Sequence, residues 1–309
     1  MSDSKVSENM KIRQDAEYLF ALSVVERLQQ AGYQAYFVGG CVRDMVMGLL
    51  PGDYDIATSA RPQETLKLFP QAERYGIKYG ILKVSDGRHK AQAGVFRRDD
   101  AVSDGRRPKR IYFAGLEEDA KRRDFTINAI YFDPITGELL DPVGGRRDIE
   151  RRLIRVIGEA RQRFAEDHLR ILRAVRFASR FNYSIEGATE AAIRACAGWV
   201  EKISPERVKE ELTRSFTEGD KVYALELLHN LGILAIFWDI FSNNEIGLYQ
   251  KVEAVFSKMS AREELEVWMG FFQPWRELVA WREEVEKGMS RLNFSRKWKK
   301  IIYNRMEET

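Results

Sequence analysis

Between residues 14 and 31 apolar side chains recur at helical spacing, with Leu19, Leu22, Val25 and Leu28 on one predicted face. Ala31-Gly32 stops that helix, and Gln34–Val38 reads as an apolar strand. Gly39-Gly40 turns it into a short helix near Val42–Gly48. Tyr54–Ala57 is a second predicted strand, and Arg61–Leu68 a helix with Pro62 in its first turn. Gly80–Ser85 and Lys90–Arg97 form a hairpin pattern around Asp86-Gly87. Asp99–Pro108 is polar and loop-like, and Ile111–Phe113 is a candidate strand. Phe125–Asp133 and Leu139–Asp141 supply helix and strand segments, with Gly137 at a turn.

From about Asp148 strand signals almost vanish. RFAEDHLRILRAVRFASRF reads as one continuous helix, and SPERVKEELTRSF as another with Ser204 as N-cap and Pro205 at the first helical position. Leu225–Leu234, Leu248–Phe256 and Leu265–Phe272 continue the helical pattern. The pattern predicts a mixed α/β domain at the N-terminus and an all-helical remainder.

A chain of 309 residues has room for two or three domains with buried cores. Its formal charge of +3 permits nucleic acid as a partner without demanding it. Cys41 and Cys196 are far apart, so no disulfide framework or zinc pattern is expected, which suits a reducing cytoplasm. The polar start MSDSKVSENMKIRQDAE has no apolar signal-peptide core, and no apolar run is long enough to span a bilayer. A cytoplasmic protein with no membrane partner is therefore expected.

Two stretches carry candidate chemistry. Asp53 and Asp55 are separated by one residue, and in a strand such residues share a face. Two carboxylates that close are unfavourable unless a cation joins them, and Mg²⁺ commonly binds one or two carboxylates plus a nucleotide. An aspartate-rich turn after Pro51-Gly52 explains the same residues without metal. The upstream Gly39-Gly40 turn can bring backbone N–H groups close to an anion, and Arg43 follows one turn later. Phosphate cradle and carboxylate pair together suggest a phosphoryl-transfer layout.

In the second stretch Asp167, Arg170, Arg173 and Arg176 recur every three residues. They read either as a solvated charged face or as a base-reading stripe. An ionised aspartate only accepts hydrogen bonds and an arginine only donates them. Cytosine and adenine offer an amino donor beside a ring-nitrogen acceptor, so such a pair would accept them and clash with guanine and uracil. Arg173 and Arg176 would then be spare cations for a triphosphate.

The segments GGCVRD (39–44), DYD (53–55), RRDFTINA (122–129), DPVGG (141–145) and RFAEDHLRILRAVRFASR (163–180) together resemble the class II tRNA nucleotidyltransferases, or CCA-adding enzymes, and the related bacterial poly(A) polymerases. The resemblance implies a polymerase-beta-like nucleotidyltransferase head (1–148), a helical neck with a base-reading helix (149–215) and a helical, tRNA-binding body (216–309). It implies Mg²⁺ held by Asp53 and Asp55 as the catalytic pair. Gly39, Gly40, Arg43 and Arg123 would bind the nucleotide, Asp167 and Arg170 would read its base, and Arg173 and Arg176 would support its phosphates. Asp124 would be a structural N-cap. The implied partners are the 3′ end of tRNA, ATP and CTP.

Three features refine the resemblance. The family usually has a third carboxylate four residues before Phe96, where this chain has Gln92, a group unable to take a proton from a hydroxyl. Only about 95 residues follow the neck, so the body is expected to be short and the anchoring of tRNA is left open; RLNFSRKWKKIIYN is either an RNA-contacting or a merely solvated basic helix. The loop FRRDDAVSDGRRP, with Arg97-Arg98-Asp99, is full length, which disfavours CC-only addition and leaves CCA and A-only addition open. Poly(A) addition ranks lower because such enzymes carry more C-terminal sequence. A small-molecule nucleotidyltransferase and a non-catalytic tRNA-binding module are the readings from other classes.

Overall fold

The computed structural model describes residues 15–99, 110–242, 246–278 and 280–308. They form two compact units, one built from residues up to Glu159 and the other from Ala160 onward together with Arg152–Ile154.

The first unit is built on a seven-stranded sheet. Its strands are β1 (Ala35–Val38), β2 (Asp55–Thr58), β3 (Glu73–Gly76), β4 (Ile81–Ser85), β5 (Lys90–Val95), β8 (Tyr131–Phe132) and β9 (Leu139–Leu140), in the spatial order β3-β4-β5-β2-β1-β8-β9. Only the β2–β5 pairing is parallel. Helix α1 (Ala16–Gln30) packs on one face, against β1, β2 and β5. Phe37, Ile56, Leu82, Val84, Ala91 and Ala93 are buried, and strand alternation puts them on that same face. Tyr18 meets Phe37 and Tyr54 edge-on at 5.7 and 5.6 Å.

The intervening residues face the other way. At the β1–β8 end, Val38, Ala57 and Tyr131 join Phe96 and Ala120 in a second core. Ala120 comes from α4 (Leu116–Lys121). Farther along that face Asp55, Gln92, Lys83 and Glu73 stand in one cross-strand row, and all four line a cleft. A ribbon of β6 (Arg97–Asp99) and β7 (Ile111–Phe113) pairs separately. Residues 100–109 of the expected loop lie outside the described residues.

The DPVGG stretch supports the turn that follows Arg123. Gly144 has φ +78 and leads into α5 (Gly145–Glu150). The Asp141 carboxylate accepts from the N–H groups of Gly145 and Arg146 at 2.7 and 3.0 Å. Gly145 sits so close to the 3-10 turn Thr126–Asn128 that a Cβ would lie 2.2 Å from the Thr126 carbonyl oxygen. The Thr126 hydroxyl donates to Asp148 on the same helix.

The second unit is helical: α6 (Ala160–Glu166), α7 (Leu169–Phe181), α8 (Gly187–Cys196), α9 (Pro205–Glu218), α10 (Lys221–Asn230), α11 (Ile233–Phe237), α12 (Ile246–Lys258), α13 (Glu264–Phe272), α14 (Trp281–Arg291) and α15 (Arg296–Glu308). A two-residue parallel pair, β10 (Leu153–Ile154) and β11 (Ser184–Ile185), accompanies them. Its aromatic core centres on Trp238, whose ring lies 4.8 Å from Phe271 and 6.0 Å from Trp275. No helix among the described residues is long and apolar enough to cross a membrane.

Four expectations need correction. Leu19 is 50% exposed, and α1 instead buries Tyr18, Ala21, Val24, Val25 and Leu28. Helical spacing alone did not show that both Tyr18 and Val24 are needed against the sheet. The predicted continuous helix over 163–181 breaks at Asp167-His168. There the Asp167 carboxylate accepts from the Leu169 N–H at 3.2 Å, the capping tendency that disfavours aspartate inside a helix. The helix expected over Leu225–Leu234 ends at Asn230, because Gly232 takes φ +75. Ser204 and Pro205 begin α9 as expected, but the serine side chain makes no capping hydrogen bond.

Gly145→Ala should displace the Thr126 turn, because the new methyl would clash with backbone and not with a movable side chain. The expected cost is about 1–3 kcal/mol, measurable as a lowered urea midpoint.

Candidate active site

Asp53 lies in the bend before β2, not on the strand as expected. Asp53 and Asp55 nevertheless both line the cleft, and so does Tyr54 between them, which is 3% exposed and packs its ring against Tyr18 of α1. Burial and then the charge of Asp53 raise the Asp55 carboxyl to about 6, with Arg123 opposing them. The pair therefore meets the physical requirement for a cation site: two anionic oxygen donors, one poorly solvated, that repel one another. Gln92 is the direct cross-strand partner of Asp55.

The cleft has two lobes that share Asp55, Ile81 and Gln92. One, of about 150 Å³, carries Arg97, Arg122 and Arg123. The other, of about 340 Å³, carries Asp53, Glu73, Lys83 and Lys90.

The arginine lobe is organised by Asp119, whose side chain is fully buried. Its carboxylate accepts from Arg122 Nη2 at 2.6 Å, Arg123 Nη2 at 3.0 Å and the Tyr131 hydroxyl at 2.7 Å. It also accepts from the Arg97 backbone N–H at 3.2 Å. Burial works against the charge on Asp119, but the two arginines and the tyrosine outweigh it and hold the carboxyl below its usual range. Burial likewise opposes the charge on Arg123, and Tyr131 and Asp119 more than restore it. Arg97 also pairs with Asp99 at 2.9 Å.

Gly39 has φ +80, a conformation that favours glycine, and a Cβ there would lie 3.5 Å from Arg123 Nη1. It precedes α2 (Gly40–Val46) and offers no side-chain cap. A Cβ on Gly40 would lie 3.6 Å from Arg43 Nη2. Arg43 itself is 4% exposed. Its Nε and Nη2 donate to Asp44 at 2.8 and 2.6 Å, and its Nη1 donates to Asn128 at 2.7 Å. The contacts seen for Arg43 thus tie α2 to the Thr126 turn. Asp124 is not the expected N-cap, a place that Phe125 takes without a side-chain cap; its carboxylate accepts instead from the Phe125 N–H at 2.8 Å and from Asn128 Nδ2 at 3.0 Å. Cys41 is 2% exposed. Its thiol donates to the Val38 carbonyl at 3.3 Å, with the Asp55 carbonyl at 3.9 Å. Burial pushes that thiol up to about 12.

In the helical unit, the expected stripe does not lie on one helix. Asp167 occupies the α6–α7 junction, half-buried, 3.8 Å from Arg207 of α9. Burial raises its carboxyl, and Arg207, Arg170 and Arg173 oppose the shift. Arg170 turns back to α6, donating to the Arg163 carbonyl at 2.8 Å and to Glu166 at 3.0 Å. Arg173 is half-buried with its guanidinium 5.2 Å from the Phe177 ring centre. Arg176 is 2% exposed and sits in charge contact with Glu211 of α9 at 2.7 Å. Burial depresses its guanidinium to about 10. In this structure Arg176 joins two helices and does not stand free for a phosphate.

Several residues of the site escaped the sequence reading. Asp119 and Arg122 stand at i and i+3, with the already expected Arg123 at i+4, a spacing that could have revealed the clamp. Arg97 was noticed only as part of a loop. Lys83 and Arg207 had no local signal, since pairing of strands and helices distant in sequence brings them to their places.

This arrangement has counterparts among known proteins. Residues 35–155 match the poly A polymerase head domain, and residues 182–241 match the probable RNA and SrmB-binding site of polymerase A. The seven-stranded sheet is therefore that of a poly A polymerase head domain. The CCA-adding enzyme of Streptococcus pneumoniae (strain CGSP14) is 37% identical over 293 residues, covering 92% of this chain and 68% of that protein. The CCA-adding enzyme of Geobacillus kaustophilus (strain HTA426) is 44% identical over 216 residues, covering 70% and 53%. The crystal structure of Bacillus stearothermophilus CCA-adding enzyme in complex with CTP aligns with a TM-score of 0.65 at 29% identity, over 96% of this chain and 83% of that one. The chain belongs to the CCA-adding enzyme family. The match spans about half the length of the Geobacillus relative.

Because the folded protein raises the Asp55 carboxyl, it favours the protonated form. The associated stability is complete below about pH 4 and is lost as pH rises through about 6. Without divalent cations, Asp55→Asn should therefore be more stable than the parent at pH 8, on the order of 2 kcal/mol. The difference should vanish near pH 4, as read by urea denaturation in chelator.

Proposed function

We propose that this chain transfers C, A or both from CTP and ATP to the 3′ end of tRNA, in a Mg²⁺-dependent reaction. The observation that carries this reading is the carboxylate pair Asp53/Asp55 beside a lobe lined by Arg97, Arg122 and Arg123. Kinship with CCA-adding enzymes and the CTP complex of the Bacillus stearothermophilus relative support it.

In this reading Asp53 and Asp55 hold Mg²⁺. When bound, the ion supplies charge neutralisation at the reacting phosphate and acidifies the attacking hydroxyl. Arg123, with Arg97 and Arg122, takes the negative charge of the triphosphate and of departing pyrophosphate. Gly39 and Gly40 keep the neighbouring backbone free of side chains. Arg43 serves by holding α2 and the Thr126 turn together. Asp167 and Arg170 select the base, accepting from its amino group and donating to its ring nitrogen. Arg173 adds positive charge and Arg176 anchors α7 to α9. Residues 149–215 act as neck and 216–309 as a tRNA-binding body, and the protein works in the cytoplasm.

Gln92 favours one second reading, a tRNA-binding module without catalysis, because the amide beside Asp55 cannot accept a proton. Gln92→Glu should raise turnover at saturating nucleotide under the main reading. Under the second reading the parent would bind tRNA yet incorporate nothing.

The main reading is tested with tRNA lacking its 3′ end and each labelled nucleotide in turn. CTP, ATP or both should be incorporated, and GTP and UTP rejected. Asp53→Ala or Asp55→Ala should abolish incorporation without unfolding the head. Asp167→Ala should slow incorporation and lower the preference for ATP or CTP over UTP and GTP. Two unpaired polar groups at about 1–3 kcal/mol each correspond to roughly hundredfold discrimination. An unchanged ratio would mean that the base is read elsewhere.

A further inference from the structure

The larger lobe of the cleft has no role in the preceding scheme beyond Asp53 and Asp55. Its floor is the row Glu73, Lys83, Gln92 and Asp55, contributed by four adjacent strands. Residues directly opposite in neighbouring strands project to the same face, so this row crosses the larger lobe, and its Asp55 and Gln92 also line the arginine lobe. If Asp53 and Asp55 serve a cation, the remaining charges of the lobe are Lys83 and Lys90 against Glu73 alone. The balance is then one positive charge in excess.

We propose that this lobe is the subsite for the terminal nucleotide of the acceptor strand, and that Lys83 contacts its phosphodiester. The proposal rests on the nucleotidyl-transfer reading. Its size, about 340 Å³, lies at the small end of ligand sites and suits one nucleotide better than an extended chain. The Lys83 side chain is 32% exposed, and its ammonium stands 3.6 Å from Glu73. An ion pair of that length at the surface is weak, and a phosphate can compete for the lysine. Gln92 lies between Lys83 and Asp55 in the row. Its amide can both donate to and accept from a ribose hydroxyl. The acceptor's 3′-terminal sugar would therefore sit over Gln92, with its hydroxyl toward Asp55 and its 5′ phosphate toward Lys83. The arginine lobe, which adjoins this one at Asp55, Ile81 and Gln92, would be left to the triphosphate. Lys83 is on this account a positioning residue for the acceptor.

The test compares Lys83→Met and Lys83→Arg with the parent. Two quantities are measured: KM for each substrate, and binding of a short single-stranded RNA ending in CC with a free 3′-hydroxyl, followed by fluorescence anisotropy across a salt series. Lys83→Met should raise the KM for acceptor RNA about tenfold and leave that for nucleotide within about twofold. Loss of one phosphate contact should also flatten the salt dependence of log affinity by about 0.7. Lys83→Arg should restore most of both effects, because it keeps the charge. A rise in nucleotide KM with unchanged RNA binding would overturn the assignment, as would a parent that does not bind the oligonucleotide. If the parent binds the RNA but incorporates no nucleotide, the transfer reading fails, while the anisotropy and its salt slope still decide whether Lys83 holds a phosphate.

Discussion

A single carboxylate, that of Asp119, holds the arginine lobe of the cleft in shape. It has no contact with solvent and accepts hydrogen bonds from two guanidinium groups, a phenol and the backbone at the start of β6. Buried charge of this kind is tolerated only when fully paired, and loss of one partner typically costs about 3–5 kcal/mol. The helix α4, the strand β8 and the root of the β6–β7 ribbon are thereby bound to one point. Arg123 in turn lies close enough to Gly39 and Asp55 to influence both. The cationic lobe is thus a consequence of an anion placed behind it.

The sheet itself divides the labour by its pleat. Residues facing α1 are apolar and buried, while their immediate neighbours in sequence face the cleft. The two properties cannot be exchanged without a shift of register, which would carry every carboxylate into the core. The small second core around Val38, Ala57 and Tyr131 closes the far end of the same face. The β2–β5–β4–β3 portion of that face floors the larger lobe of the cleft.

Much of this was legible in the chain. The Gly39-Gly40 turn, the β4–β5 hairpin around Asp86-Gly87 and the switch to helices each rest on local chemistry, and each is present. Asp53 and Asp55 both line the cleft, even though β2 begins only at Asp55. Other features depend on distant partners. A repeat of three residues could not show that Asp167 would prefer to cap α7, nor that Glu211, on another helix, would engage Arg176. Likewise the GGCVRD segment did not reveal that Arg43 faces Asn128, because their contact spans 85 positions. Exposure of Leu19 has the same origin, since the sheet chooses which flank of α1 it covers.

Cys41 gives the strand–turn–helix segment a chemical clock. Its thiol is buried between the carbonyls of Val38 and Asp55, and burial suppresses the reactive thiolate at neutral pH. An alkylating reagent can react with it only when β1, the glycine turn and the start of β2 separate. The rate of modification is therefore set by the free energy of local opening, a quantity that can be much smaller than that of global unfolding. Any ligand that clamps the carboxylate pair would slow that rate in proportion to the closed population it stabilises, without catalysis being measured at all.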